Sequence, residues 1–102
     1  MANMIAEQAK KILREIPEQE KGFWLHNGPV LKSLADLSKA MESMSNETFK
    51  HHVNPTNNDF ANWVNDVVGD KVLANAIKQA KTQKTALRKL KERIELLKKI
   101  AK

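Results

Sequence analysis

Six basic side chains in the last quarter of the sequence could bind an anionic partner. On a helical projection of residues 70–102 they fall on the outer positions, away from the apolar side. Ammonium and guanidinium groups spaced in this way can contact successive phosphates, whatever the base sequence. The sequence therefore predicts nucleic-acid binding without sequence specificity, as in a nucleoid-associated protein. The predicted contact residues are Lys78, Lys81, Arg88, Lys89, Lys99 and Lys102.

The basic charge belongs to one part of the chain. Residues 70–102 carry a net charge of +8, whereas residues 1–69 carry −2, and the 102-residue chain has a net charge of +6. Such asymmetry favours a polyanionic partner, either a nucleic acid or an acidic protein. The alternative that needs no partner is a solvated, lysine-rich helix face.

The apolar side of the same segment offers a second interpretation. Apolar side chains recur along residues 73–101 with alternating spacings of three and four, as one side of a helix requires. On a heptad lettering Lys84, Lys91 and Lys98 flank this stripe, and they make no attractive pair with a second copy. The stripe therefore suits packing on a helical domain, either the chain's own or a partner's.

The alternative function is a protein-interaction or self-assembly module that docks on an acidic protein or forms a homo-oligomer. Its predicted interface residues are Leu87, Leu90, Ile94 and Leu97.

The three histidines favour structural roles over a metal or catalytic site. His51 and His52 are adjacent, so on a helix their side chains point apart, whereas ligands on one helix need spacings of three or four. His26 is distant in sequence. The chain has no Cys, and its three Gly form no phosphate-binding loop. We therefore expect no metal, no cofactor and no enzymatic activity.

Proline, glycine and capping residues divide the chain into predicted elements. Asn27-Gly28 is the preferred pair for a tight hairpin turn, so Phe23–His26 and Val30–Lys32 are predicted strands. Pro17 cannot continue a helix, and Gly69 can adopt the left-handed conformation that often follows one. The predicted helices are residues 2–16, two helices that follow the N-caps Ser33 and Ser45, one over residues 60–68, and residues 70–102.

The last predicted helix could also be two. The polar segment Thr82-Gln83-Lys84-Thr85 could cap a second start. The apolar spacing nevertheless keeps its register from Ala80 through Gln83 to Leu87, which favours one continuous helix. Such a helix would be roughly 50 Å long. It would extend beyond a compact domain of this size unless it bends or meets another chain.

These elements predict a mostly α-helical fold of about five helices, with one short β-hairpin near residues 23–32 and a long basic C-terminal helix. We expect a single domain over residues 1–102, with a compact helical part at 1–69 and an amphipathic helix at 70–102. No apolar run approaches the ~20 residues of a membrane span, and the N-terminus lacks the apolar core of a signal peptide. A cytoplasmic location is therefore expected.

The stretch from Phe23 to Ala74 resembles a family of small uncharacterised domains from archaea and uncultured bacteria. The pattern that carries the resemblance is His51-His52-Val53-Asn54, then Asn58-Asp59-Phe60-Ala61-Asn62-Trp63, and then Gly69-Asp70. It covers about half of the chain and leaves out the basic segment from Gln79 onward. Because the family has no assigned activity, the resemblance implies a small fold and no catalytic residues.

Overall fold

The computed structural model describes residues 4–102, and it confirms the mostly helical fold with a short hairpin and a basic C-terminal helix. The predicted start of the first helix at residue 2 lies outside the described residues. The helices are α1 (Ala6–Leu13), α2 (Leu34–Ser43), α3 (Asn46–His52), α4 (Asp59–Trp63), α5 (Lys71–Gln79) and α6 (Gln83–Ala101). The strands are β1 (Phe23–Trp24), β2 (Val30–Leu31), β3 (Val53–Asn54) and β4 (Asn57–Asn58).

Helix α6 is the central element of the fold, although it comes last in the sequence. It packs against α1, α2 and α5. The inward side chains Ala86, Leu90 and Leu97 are fully buried in the common core. Full burial of one Leu side chain contributes about 1.5–3 kcal/mol, so this side of α6 is a main source of stability. None of the helices in residues 4–102 has the length and apolar composition that a membrane crossing requires.

The prediction of one continuous helix over residues 70–102 is wrong. The chain leaves the helical conformation at Ala80 and resumes it after Thr82, whose hydroxyl accepts a hydrogen bond from the Thr85 N–H at 3.1 Å. This hydrogen bond offers the backbone an alternative to continued helix. The break also lets α5 and α6 pack on each other in one core, within a molecule whose longest extent is 37 Å. The expected five helices therefore become six within residues 4–102.

The first helix ends three residues earlier than the prediction. Arg14 is already extended, with ψ of 157°. Because a proline disfavours the helical conformation of the residue before it, Ile16 cannot easily be helical next to Pro17. Its N–H instead donates to the Lys32 carbonyl at 2.7 Å, and its side chain is buried. The end of the segment is thus anchored beside β2.

The predicted hairpin is present, but its turn is longer than two residues. Strands β1 and β2 pair in antiparallel register, with Phe23 opposite Leu31. A two-residue Asn-Gly turn requires positive φ at both positions, but only Asn27 has it, with φ of 56°, so that part of the turn prediction is wrong. Pro29 has no N–H to pair with β1, so the second strand begins only at Val30. A second hairpin that the sequence analysis did not predict, β3–β4, follows α3 directly.

The junction between α4 and α5 follows the prediction. A π-helical turn extends α4 and is closed by Gly69, which has a left-handed φ of 90°. Asp70 then caps α5, because its carboxylate accepts the Leu73 N–H at 3.1 Å. The same carboxylate accepts two hydrogen bonds from the Arg93 guanidinium of α6, at 2.7 and 2.9 Å. This buried bidentate pair fixes the start of α5 against the middle of α6.

Candidate nucleic-acid interface

The break between α5 and α6 forms one side of a cleft of about 1150 Å³. The other side comes from α3, the β3–β4 hairpin and the start of α4. We call this feature the amide–lysine cleft. It is lined by Asn46, Phe49, Lys50, Val53, Asn54, Pro55, Thr56, Asn57, Asn58, Asn62, Asn75, Lys78, Gln79, Ala80, Lys81, Thr82 and Gln83.

The lining combines positive charge with side-chain amides. Its charged groups are the ammonium groups of Lys50, Lys78 and Lys81, and eight Asn or Gln side chains surround them. None of the lining residues, all of which lie in the described part of the chain, is Asp or Glu. A concave surface with charge of one sign concentrates the field and attracts ligands of the opposite sign. The cleft therefore has the electrostatic character of an anion-binding surface.

Buried residues form the floor of the cleft. The side chains of Phe49, Asn58 and Ala80 are each less than a tenth exposed. Asn58 joins the two sides, because its amide donates to the Ile77 carbonyl at 3.4 Å while its oxygen accepts the Ala61 N–H at 3.0 Å. These hydrogen bonds and the buried side chains connect the two sides of the cleft.

Helical spacing places the polar groups of each wall on one face. On α5, Asn75, Lys78 and Gln79 are separated by three and four residues, so they share a side of the helix. On α3, Asn46 and Lys50 are four residues apart and share a side in the same way. All five are exposed. Each helical wall therefore presents a lysine beside one or two amides.

Two carboxylates, Glu47 and Asp59, lie next to lining residues in sequence, and the oxygens of Asp59 are engaged. Asp59 follows the lining residue Asn58 and begins α4. Its Oδ2 accepts a hydrogen bond from His52 Nδ1 at 3.0 Å, and its Oδ1 accepts one from Asn57 Nδ2 at 2.7 Å. Each oxygen of this carboxylate therefore already accepts a hydrogen bond from a donor of the protein.

The structure does not bring the six predicted phosphate contacts together. Lys78 and Lys81 line the cleft, whereas the other four lie along α6. Arg88 is paired with Glu92 at 3.4 Å, and Lys89 is partly buried. Lys99 and Lys102 are exposed at the far end of α6, roughly 28 Å from its start. A single compact site can therefore include only the first two.

The predicted interface residues lie in the chain's own core. Leu90 and Leu97 are fully buried, Ile94 is nearly so, and Leu87 is partly buried against the same cluster. Since α1, α2 and α5 cover this side of α6, the four side chains contact other parts of the same chain. The apolar stripe that suggested a partner therefore packs inside the domain, and the four residues contact their own chain instead of the predicted partner.

The histidines are held by contacts within the domain. His52 is buried, its Nδ1 bonds to Asp59, and its Nε2 accepts the backbone N–H of His26 at 3.0 Å. Both ring nitrogens are thus occupied, which leaves neither of them for a metal ion or a substrate proton. His51 is exposed and stacks on His26 with ring centroids 3.8 Å apart. These contacts join α3 to the first hairpin.

Sequence reasoning missed Lys50 and all of the amides of the cleft. Lys50 lies in a segment with no charge excess, and its proximity to Lys78 and Lys81 comes only from tertiary packing. A signal was present in the number of Asn residues between positions 46 and 75, since Asn is unusual in helices outside caps. Three of these residues lie within helices, namely Asn46 in α3, Asn62 in α4 and Asn75 in α5.

Comparisons of this chain with protein-family models, with curated proteins and with solved structures find no match. The function is therefore inferred from the geometry and charge of the site alone.

Proposed function

We propose that this protein binds nucleic acid without sequence specificity and that the amide–lysine cleft is its main contact surface. The observation that carries the proposal is the lining, in which lysines on both walls of a concave surface are surrounded by carboxamides. Each phosphate that a lysine neutralises releases counterions, which favours binding whatever the base sequence. Amides add hydrogen bonds to phosphate and sugar oxygens. The role is binding, with no catalytic step.

The basic residues outside the cleft have a supporting role in this proposal. Arg88, Lys89, Lys99 and Lys102 extend the positive field along α6, so they attract a polyanion before it contacts the cleft. Self-assembly was suggested by the apolar stripe of α6. Because that stripe packs on α1, α2 and α5, it gives no reason to propose a second function.

Two matched charge-removing variants test the proposal. Lys78→Gln/Lys81→Gln removes two charges at the cleft, and Lys99→Gln/Lys102→Gln removes two charges from the same chain outside it. We expect the first pair to weaken binding of a fluorescein-labelled oligonucleotide about tenfold or more at low salt, and the second about twofold. Fluorescence anisotropy at about 50 and about 200 mM KCl measures both effects. Equal losses for the two pairs would show that the cleft is not the main surface, and no binding at the lower salt would reject the proposal.

A further inference from the structure

We propose that the amide–lysine cleft takes a single-stranded segment of nucleic acid, with the amides of Asn75 and Gln79 on base edges and the lysines on phosphates. This inference rests on the proposed nucleic-acid binding and specifies its substrate class. It comes from three properties of the cleft, namely its size, the arrangement of its amides and its concave shape.

The cleft is larger than a typical site for a small molecule. Its volume of about 1150 Å³ exceeds the ~300–1,000 Å³ of most small-ligand pockets. Its helical walls carry exposed amide and ammonium groups, beside the apolar side chains that also line the cleft. A cleft of this size, with exposed amide and ammonium groups on its helical walls, suits a short stretch of a polymer that lies along it and keeps one side in water.

The wall amides can serve an external ligand. Among residues 4–102, no hydrogen bond joins the side chains of Asn46, Asn75 or Gln79 to another group of the protein. Each carboxamide offers two donor hydrogens and one acceptor oxygen, so it can pair with base edges that carry both kinds of group. Phosphates offer only acceptors. The amide oxygens of the cleft can therefore accept hydrogen bonds from the N–H groups of bases, whereas phosphates offer them no donor.

The spacing of groups on α5 allows both contacts at once. Lys78 and Gln79 lie on either side of Asn75 on one face of the helix, at separations of three and four residues from it. Lys50 faces the same cleft from α3. A strand that passes between the walls can place its phosphates near the lysines and turn its bases toward the amides of α5.

The concave shape favours a single strand over a duplex. In a duplex the base edges lie at the bottom of grooves, which are read by a helix or ribbon that protrudes into them. The amides here lie on the inner walls of a cleft, so they can reach only bases that are free to enter it. Unpaired bases meet this requirement, because they can be splayed away from their backbone.

Anisotropy titrations with strands and duplexes test the inference. The probes are a mixed-sequence DNA strand of about 12 nucleotides, its RNA equivalent and the DNA duplex, a length within the range that single-strand-binding folds cover. We expect the full chain to bind at least one single strand about tenfold more tightly than the duplex at about 50 mM KCl. Asn75→Ala/Gln79→Ala should weaken strand binding about fivefold and leave duplex binding unchanged.

The control variant is Gln19→Ala/Asn65→Ala, which removes one exposed Gln and one exposed Asn outside the cleft. It should leave strand binding unchanged. Equal affinity for strand and duplex would overturn the inference while leaving the proposed nucleic-acid binding in place. An unchanged strand affinity in the Asn75/Gln79 variant would also overturn it. Absence of binding to all three probes would instead reject the proposed function.

Discussion

The carboxylate of Asp70 and the guanidinium of Arg93 form a bidentate ion pair, 2.7 and 2.9 Å between heavy atoms, at the contact of α5 with α6. Asp70 is 2% exposed and Arg93 is 14% exposed, so the pair is screened little by water. Asp70 also caps α5, which gives one buried side chain two structural tasks. The contact between α5 and α6 therefore depends on Arg93 for its stability. Arg93 belongs to the basic segment that suggests nucleic-acid contacts, but its role here is structural.

Replacing Arg93 with Leu should destabilise the domain by about 3 kcal/mol, because it leaves the Asp70 carboxylate buried without its countercharge. Urea unfolding followed by the fluorescence of the buried Trp63 measures the change. The control is Arg88→Leu, which breaks an ion pair with Glu92 in which both partners are more than half exposed. It should change stability by about 0.5 kcal/mol or less. Equal effects of the two substitutions would contradict the importance of the buried pair.

Replacing Leu90 with Ala should destabilise the domain by about 2–5 kcal/mol, since Leu90 is fully buried in the core. The loss should be independent of protein concentration, because the contacts lie within one chain. Unfolding midpoints at two protein concentrations provide the measurement. Leu96→Ala on the same helix, at a side chain that is 46% exposed, is the control and should have a small effect. A midpoint that rises with concentration would indicate that α6 contributes to an oligomer.

Replacing His52 with Ala should destabilise the domain by about 2–4 kcal/mol. The substitution leaves the His26 N–H without its acceptor and Asp59 Oδ2 without its donor, and it removes a ring that packs on Phe23 and Phe60. Thermal unfolding followed by circular dichroism checks this value. His51→Ala removes the neighbouring, exposed histidine and should cost about 0.5 kcal/mol. If His51→Ala proves as costly as His52→Ala, the structural role assigned to His52 is wrong.

Replacing Lys50 with Gln should weaken nucleic-acid binding by about three- to tenfold, because one of the lysines of the cleft is lost. Lys50 lies outside the basic C-terminal segment. This variant therefore distinguishes two hypotheses, that the cleft is the contact surface and that the basic helix is. Lys39→Gln, an exposed lysine of α2 outside the cleft, is the matched control. Both affinities are read by anisotropy at the same salt concentration. Equal affinities of the two variants would count against the cleft.

Local chemistry made much of the fold predictable from sequence. Ser33 and Ser45 accept hydrogen bonds from N–H groups three residues later, as N-caps should. Gly69 adopts the left-handed conformation that a non-glycine residue would resist. These features depend on a few neighbouring residues, and sequence patterns report such features well.

The helix break was harder to predict because the apolar periodicity favours one continuous helix, whereas the capping residue favours a new helix start. Ala80 and Leu87 keep the apolar register across the break, while Thr82 has the chemistry of an N-cap. Tertiary packing agrees with the capping signal, since α6 packs on α1, α2 and α5 and buries Ala86 together with Leu90 and Leu97. The stripe observed is therefore rotated slightly from the predicted one.

The candidate site was only partly predictable for the same reason. Lys78 and Lys81 could be selected from the charge of their segment. Lys50 and Asn46 lie about thirty residues away in sequence, and nothing local indicates that α3 faces α5 across a cleft. Residues that form a site from separated segments become visible only when the packing of those segments is known.

The central position of α6 affects how the domain is made. During synthesis the ribosome releases α1 first and α6 last, yet α1 packs against α6. The sides of α1, α2 and α5 that pack on α6 therefore remain uncovered until α6 has emerged, and contacts between distant parts of a chain form slowly. An mRNA truncated before the codons of α6 would yield a product without its central packing element, which is a natural substrate for chaperones and proteases.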